Sequence, residues 1–265
     1  MWSKTAILFF SASMFEISGN NGNKESSEYV NNPNNPPVSR RYDTLDAWRS
    51  LAVLLMLVYH FLYDLYIFRI ITRGQMFCTP LNIMQKFICC SFILLAGIST
   101  HFTRSNLRHG LIVLLAGAVV EAGAAVGGQT IRFGVLMFLG TSMLLYHVIG
   151  KYLERLPVCP LTAVLVLLFV LTSFWIGQIQ VTVPFLYPLG LMTAEFYSVD
   201  YFPLMPWFFL FLLGAVLGGV CRRHSDNPFL TLRLPEVLTW PGRHSLLIYV
   251  LHQPVLFGFT YLIWG

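Results

Sequence analysis

The sequence predicts an all-α, polytopic membrane helix bundle of about seven transmembrane helices, with its N-terminus in the cytoplasm. Three observations carry that expectation. First, 56% of the 265 residues are apolar and only 11% are charged, against about 25% charged in a soluble domain. Second, apolar runs of membrane-crossing length recur along the chain, in keeping with a mean hydropathy of +0.65. Third, Lys and Arg fall mostly on one side of those runs. A water-soluble globule of this size could not cover its surface with so few charges. A cytosolic enzyme, a secreted disulfide scaffold and a disordered chain are therefore excluded.

A spanning helix needs about 20 mostly apolar residues. Runs of that kind predict spans at about 44–68, 82–101, 108–126, 131–150, 160–178, 203–221 and 243–263. Ahead of them, residues 15–41 are rich in Asn, Ser, Gly and Pro and cannot bury a core. Residues 1–41 are accordingly expected to be a disordered or surface-lying tail, and 42–265 the membrane domain. Residues 1–14 carry one Lys and an apolar run too short to span; whether they are a cleaved leader is left open. Between the fifth and sixth spans, residues 179–202 contain Pro184, Pro188 and Gly190 and read as a loop or re-entrant piece. No internal repeat is evident.

Seven spans divide the 17 Lys and Arg sharply. Lys4, Lys24, Arg40, Arg41, Arg49, Arg104, Arg108, Lys151, Arg155, Arg222, Arg223, Arg233 and Arg243 share one side. Only Arg69, Arg73, Lys86 and Arg132 share the other. The positive-inside rule then makes the first group cytoplasmic. The net charge of +5 reflects these loops, and without Lys/Arg tracts it does not indicate nucleic acid. The five cysteines show no metal-ligand spacing and read as small core hydrophobes. The histidines show no such spacing either, and no metal is implied.

Ionisable groups inside spans are costly, so each is a candidate site residue. The first span, RYDTLDAWRSLAVLLMLVYHFLYDL, holds the densest set. Arg49 and His60 are 11 positions apart, about three turns, and so lie on one face about 16 Å apart. Asp64 follows His60 by four residues, and its carboxylate is placed to reach the imidazole and fix its tautomer. In the last span, WPGRHSLLIYVLHQPVLFGF, Ser245, Tyr249 and His252 fall near one face, and Pro254 frees a backbone carbonyl one turn back. Glu121 lies in the outer half of the third span. His147 lies near the cytoplasmic end of the fourth. Asp200 stands just before the sixth. Arg104, Arg108 and His109, with Arg222, Arg223 and Arg233, form a basic cytoplasmic face suited to a phosphate-rich ligand.

Four blocks carry a resemblance: RYDTLDAWRSLAVLLMLVYHFLYDL, IRFGVLMFLGTSMLL, DYFPLMPWFFLFLLGAVLG and GRHSLLIYVLHQPVL. In this order they resemble the bacterial branch of membrane acyltransferases similar to the heparan-alpha-glucosaminide N-acetyltransferase catalytic domain. The resemblance runs from about residue 41 to 263. The Arg-x10-His spacing of Arg49 and His60 is shared with the broader group of integral-membrane sugar O-acyltransferases. A large lumenal domain like that of the lysosomal enzyme is not seen.

The resemblance implies transfer of an acyl group, usually acetyl, from cytoplasmic acyl-CoA to a sugar or glycan acceptor at or across the membrane. It implies a catalytic role for His60 and a donor-side role for Arg49. Combined with the residue reading, Arg49, Arg104, Arg108 and Arg243 are expected at the CoA phosphates. His60, oriented by Asp64, is expected to deprotonate the acceptor or to carry the acyl group. Tyr249 and His252 are candidates for polarising the thioester carbonyl or contacting the acceptor, with Asp200 and Glu121 on the acceptor side. The expected setting is the lipid bilayer of the cell membrane, with acetyl-CoA as co-substrate and oligomeric state left open. A small-solute or proton-coupled transporter is the rival class, with the intramembrane His, Asp and Glu as its relay. A supporting helix-bundle subunit is a third.

Overall fold

The computed structural model describes residues 42–224 and 228–265. The expected tail at 1–41, its leader at 1–14 and the cations Lys4, Lys24, Arg40 and Arg41 lie outside the described residues. The described chain is helical: α1 Asp43–Ile67, α2 Arg73–Met76, α3 Thr79–Ser99, α4 Asn106–Val126, α5 Val135–Leu153, α6 Val158–Trp175, α7 Leu204–Arg223, α8 Pro228–Thr231, α9 Glu236–Arg243 and α10 Ser245–Trp264. Seven of these are long and apolar enough to cross a membrane: α1, α3, α4, α5, α6 with its 3-10 extension to Gln178, α7 and α10. They fall where the apolar runs place them. This is a multi-pass membrane protein.

The termini of the helices follow local rules. Pro stands in the first turn of α3, where a missing N–H costs nothing. Ser105 caps α4 by accepting from the Arg108 N–H. Thr72 and Gln75 form a reciprocal capping box on the short α2. Pro254 lies inside α10, which runs on through it as one helix. Residues 179–202 are a loop, as expected. It holds a 3-10 turn over Pro184–Leu189 that ends on Gly190 at φ +107, a left-handed conformation glycine adopts without penalty.

Helix association in hydrocarbon gains nothing from excluding water, so backbones must come close. Glycine permits that here. A Cβ on Gly97 of α3 would collide with the α7 backbone at Phe211 and Ala215, and one on Gly214 of α7 with the α3 backbone at Leu94. Gly110 and Gly140 seat α4 on α5, and Gly242 seats α9 on α1 at Asp46 and Ser50. The resulting order is α6 on α7, α7 on α3, α3 on α1 and α1 on α9 and α10, with α4 on α5. The core lies between them at Met56, Ile93, Phe138 and Phe211. By contrast, α6 buries only Leu165, and α10 only His252 and Thr260. Below, the end of the bundle where α1 begins is called proximal and the other distal.

Gly97→Leu should therefore lower the thermal unfolding temperature in detergent, by an overpacking cost of about 1–3 kcal/mol. Gly123→Ala, where an added Cβ meets nothing within 4 Å, should leave that temperature unchanged.

Candidate active site

At the proximal end, α1 and the chain's last segment are tied by charge. Arg243 donates from Nη2 to Asp43 Oδ1 at 3.0 Å and from Nε to Asp46 Oδ2 at 3.4 Å. Arg49 donates from Nη1 to Asp46 Oδ1 at 3.0 Å and from Nη2 to Ser99 Oγ of α3 at 2.6 Å. Below them the Gly242 N–H donates to Ser50 Oγ at 2.8 Å, and Ser50 donates to Asp46 O at 3.0 Å. Two guanidiniums thus balance two carboxylates. Arg49 and Arg243, expected as phosphate ligands, sit in a neutral cluster that joins α1, α3 and α9. Arg104 and Arg108 are exposed, on the α3–α4 connection and the first turn of α4. The α3–α4 connection is short and follows Ser99, which binds Arg49, so the start of α4 lies at the same end.

Farther along α1, His60 meets His252 of α10, with ring centroids 4.6 Å apart and planes at 82°. The expected His60–Asp64 hydrogen bond is not formed. His60 Nδ1 lies 2.9 Å from its own helix's Met56 carbonyl, and Asp64 Oδ1 instead accepts from Gln253 Nε2 at 2.7 Å. Spacing by four residues placed both groups on one face, but the imidazole turns back along the helix to an acceptor already within reach. Asp64, 1% exposed, therefore fastens α1 to α10 rather than orienting His60 directly. Gln253 escaped the sequence reading. Its signal was an amide in an apolar run, a group that needs a partner in hydrocarbon.

His252 Nδ1 in turn meets the Tyr249 carbonyl. A carbonyl only accepts, so both neutral imidazoles carry their proton on Nδ1 and present Nε2 as a base. In that neutral tautomer His252 Nε2 accepts rather than donates. Buried atoms without a hydrogen-bond partner cluster here: Asp64 Oδ2, His252 Nε2 and Gln253 Oε1. The imidazole nitrogen and amide oxygen only accept in this arrangement, so what satisfies them must donate.

From this pair the polar path continues through Tyr249. The Tyr249 ring lies 5.2 Å from that of His252 and lines a crevice of about 180 Å³ with Glu121 and Asp200. The two acids cap the N-terminus of α5: Glu121 Oε1 accepts from the Gly134 N–H at 3.0 Å, and Asp200 Oδ2 from the Val135 N–H at 3.1 Å. Carboxylates at a helix N-terminus are favoured by its dipole. Burial nevertheless pushes the Asp200 carboxyl up to about 6; the Val135 bond opposes that push and Glu121 adds to it. The structure thus joins His60, His252, Tyr249, Glu121 and Asp200 in one series. Arg49 and Arg243 are brought together at the other end. His147 is exposed on α5, apart from both.

Two outcomes follow. Asp64→Ala and Gln253→Ala should be coupled, with a double-mutant interaction of about 1 kcal/mol in detergent unfolding, the scale of buried polar pairs between membrane helices. Asp200 is raised from 3.8 to about 6, so the folded protein holds its proton more tightly than the unfolded chain. Its contribution to stability is complete below pH 3.8 and is lost as pH rises towards about 6. Unfolding temperature measured across that window should fall with pH in the wild type, and the step should vanish in Asp200→Asn.

No curated protein and no solved structure matches the chain. One family does, described as "Heparan-alpha-glucosaminide N-acetyltransferase, catalytic", over residues 41–254. That stretch runs from the start of α1 to Pro254, taking in the proximal ion cluster, the two imidazoles and the acid-lined crevice. The chain therefore belongs to the heparan-alpha-glucosaminide N-acetyltransferase catalytic family, a family of membrane acetyltransferases.

Proposed function

We propose that this protein transfers an acetyl group from acetyl-CoA, entering at the proximal end, to a sugar or glycan acceptor that reaches the site from the distal end. The observation that carries the reading is the pair of imidazoles inside the bundle, each with Nδ1 held by a backbone carbonyl and Nε2 left as a base. On one side of them stands the basic end, on the other a crevice with two carboxylates. Family membership supports the acetyl group and the transferase class.

In this reading Arg104 and Arg108 are the principal ligands of the CoA phosphates, because Arg49 and Arg243 are already balanced by Asp43 and Asp46. Arg49 acts as a positioning residue that fixes α1 against α3 through Ser99. His60 Nε2 takes the proton from the acceptor's O–H or N–H as that heteroatom bonds to the acyl carbon. The carbon–sulfur bond breaks, and the proton passes to the departing thiolate, which leaves as free CoA. His252 Nε2, next to His60, is the second base over which that proton is held. Tyr249 keeps the donor role that the His252 tautomer cannot fill, hydrogen bonding to the carbonyl oxygen as charge develops on it. Asp64 and Gln253 hold the two imidazole-bearing helices in register. Glu121 and Asp200 receive acceptor hydroxyls. The positive-inside rule supports a cytoplasmic proximal end, and the proposed setting is the cell membrane.

His60→Ala should reduce release of free CoA from acetyl-CoA, measured in detergent with a sugar acceptor, by about 10²–10⁴-fold in kcat. Arg104→Ala with Arg108→Ala should raise KM for acetyl-CoA while changing kcat little. Absence of transfer by folded wild type across acyl donors and sugar acceptors in detergent would favour the transporter reading, since transport needs a sealed membrane and transfer does not.

A further inference from the structure

A second concavity opens at the proximal end, away from the imidazole pair. It has a volume of about 450 Å³ and lies between the end of α5, the start of α6 and the last turns of α7. Leu153, Leu161, Leu165, Leu212 and Val216 make an apolar wall, with Arg223 at the rim. The floor is polar and internally satisfied. Tyr146 and His101 share a hydrogen bond at 3.0 Å, and Glu154 lies 3.8 Å from His101 Nδ1.

Two features identify what belongs there. The first is the medium. The groove runs beside α6, which buries only Leu165 among its 18 residues, so a spanning α6 leaves the groove open to hydrocarbon. The second is charge. Arg222 and Arg223 end α7, and Arg222 reaches Glu154 only at 3.9 Å with both groups about half exposed. Burial pushes His101 below its ordinary value despite Glu154, so it adds no charge near neutrality. Among the described residues, two guanidiniums against one carboxylate leave the rim with a single excess positive charge. Lys151 and Arg155, exposed on the neighbouring turn, deepen it.

We propose that this groove binds an anionic glycerophospholipid, its phosphate held by Arg223 and Arg222 and one acyl chain laid along the leucine wall. Basic pockets between spanning helices bind lipid head groups by this combination of charge and apolar slot. The lipid closes the wedge between α5, α6 and α7 that protein side chains leave unfilled.

The test uses the full chain purified in detergent and incubated with equal amounts of phosphatidylglycerol and phosphatidylcholine of the same acyl chains. Bound lipid is counted by native mass spectrometry. Wild type should retain phosphatidylglycerol in preference, and each lost arginine should cut that preference about fivefold. Arg223→Ala should therefore weaken it, Arg222→Ala with Arg223→Ala should abolish it, and Val216→Phe should remove both lipids by filling the slot. Leu161→Phe serves the same purpose if Val216→Phe does not fold, and every variant is read only on protein with the wild-type unfolding temperature. Equal retention of the two lipids, or a preference unchanged in Arg223→Ala, overturns the proposal. So does displacement of phosphatidylglycerol by acetyl-CoA, which would give the groove to the acyl donor. Loss of transferase activity in His60→Ala has no bearing on this outcome, so the two readings fail separately.

Discussion

Arg243 reaches back across 200 positions of sequence to Asp43, and that closure sets the rest of the site. It makes the first and last spanning helices neighbours, and with them His60 and His252. Remove it and the Gly242 contact with the α1 backbone loses its clamp. The ring contact 4.6 Å apart would then rest on the Asp64–Gln253 bond and on the aromatic contacts of Phe61 with Phe259 and Phe68 with Phe257. The two ties differ in kind. The proximal one joins ions at a partly exposed end, where opposite charges roughly offset their loss of hydration. The distal one is a single bond from an amide to a carboxyl deep in the bundle, where the alternative to pairing is an unsatisfied polar group.

The same accounting explains the imidazoles. In low dielectric each polar hydrogen must find an acceptor, and both rings take the nearest backbone carbonyl on their own helix. That choice fixes the tautomer without a carboxylate. It also leaves two basic nitrogens close together, each without the cation or donor that a purely structural polar contact would supply. A buried group satisfied on one side and open on the other is the arrangement a proton-transfer site needs, since a fully paired base has nothing left to accept.

Hydropathy alone made the seven spans legible, because each is a run whose length the bilayer dictates. The boundaries differ mainly at α5, which begins at Val135 rather than near 131 because Phe133 and Gly134 belong to a turn held by Glu121 and by the N–H groups of Val199 and Phe202, which donate to the Thr130 and Phe133 carbonyls. Pairing between helices was not legible. Periodicity shows which residues share a face and says nothing of which helix covers that face. Hence Asp64 appeared as the partner of His60, which lies one turn away, and Gln253, 189 positions away, went unnoticed. The spacing likewise gave no sign that Asp43 and Asp46 neutralise two of the four arginines assigned to phosphate. The Tyr146, His101 and Glu154 network is set by tertiary contacts with no periodic signature.

Surface charge does not by itself distinguish the two ends of the bundle, since Arg104 and Arg108 are exposed at one and Arg69, Arg73 and Arg132 at the other. The direction of the proposed reaction rests instead on the two acids that line the crevice. The acids do not act only through charge, because Asp200 is also bonded to the first turn of α5. With its carboxyl pushed up to about 6, it remains ionised near neutrality, where it can accept from an acceptor hydroxyl, and gains its proton in mild acid, where it can donate. Acceptor affinity should then depend on pH through Asp200 even though Asp200 takes no part in bond making. In a pH series the dependence would appear in KM for the acceptor, centred near the Asp200 value, while kcat followed the imidazoles. Asp200→Asn would flatten the first profile and leave the second in place; a change in kcat alone would assign Asp200 to the chemistry itself.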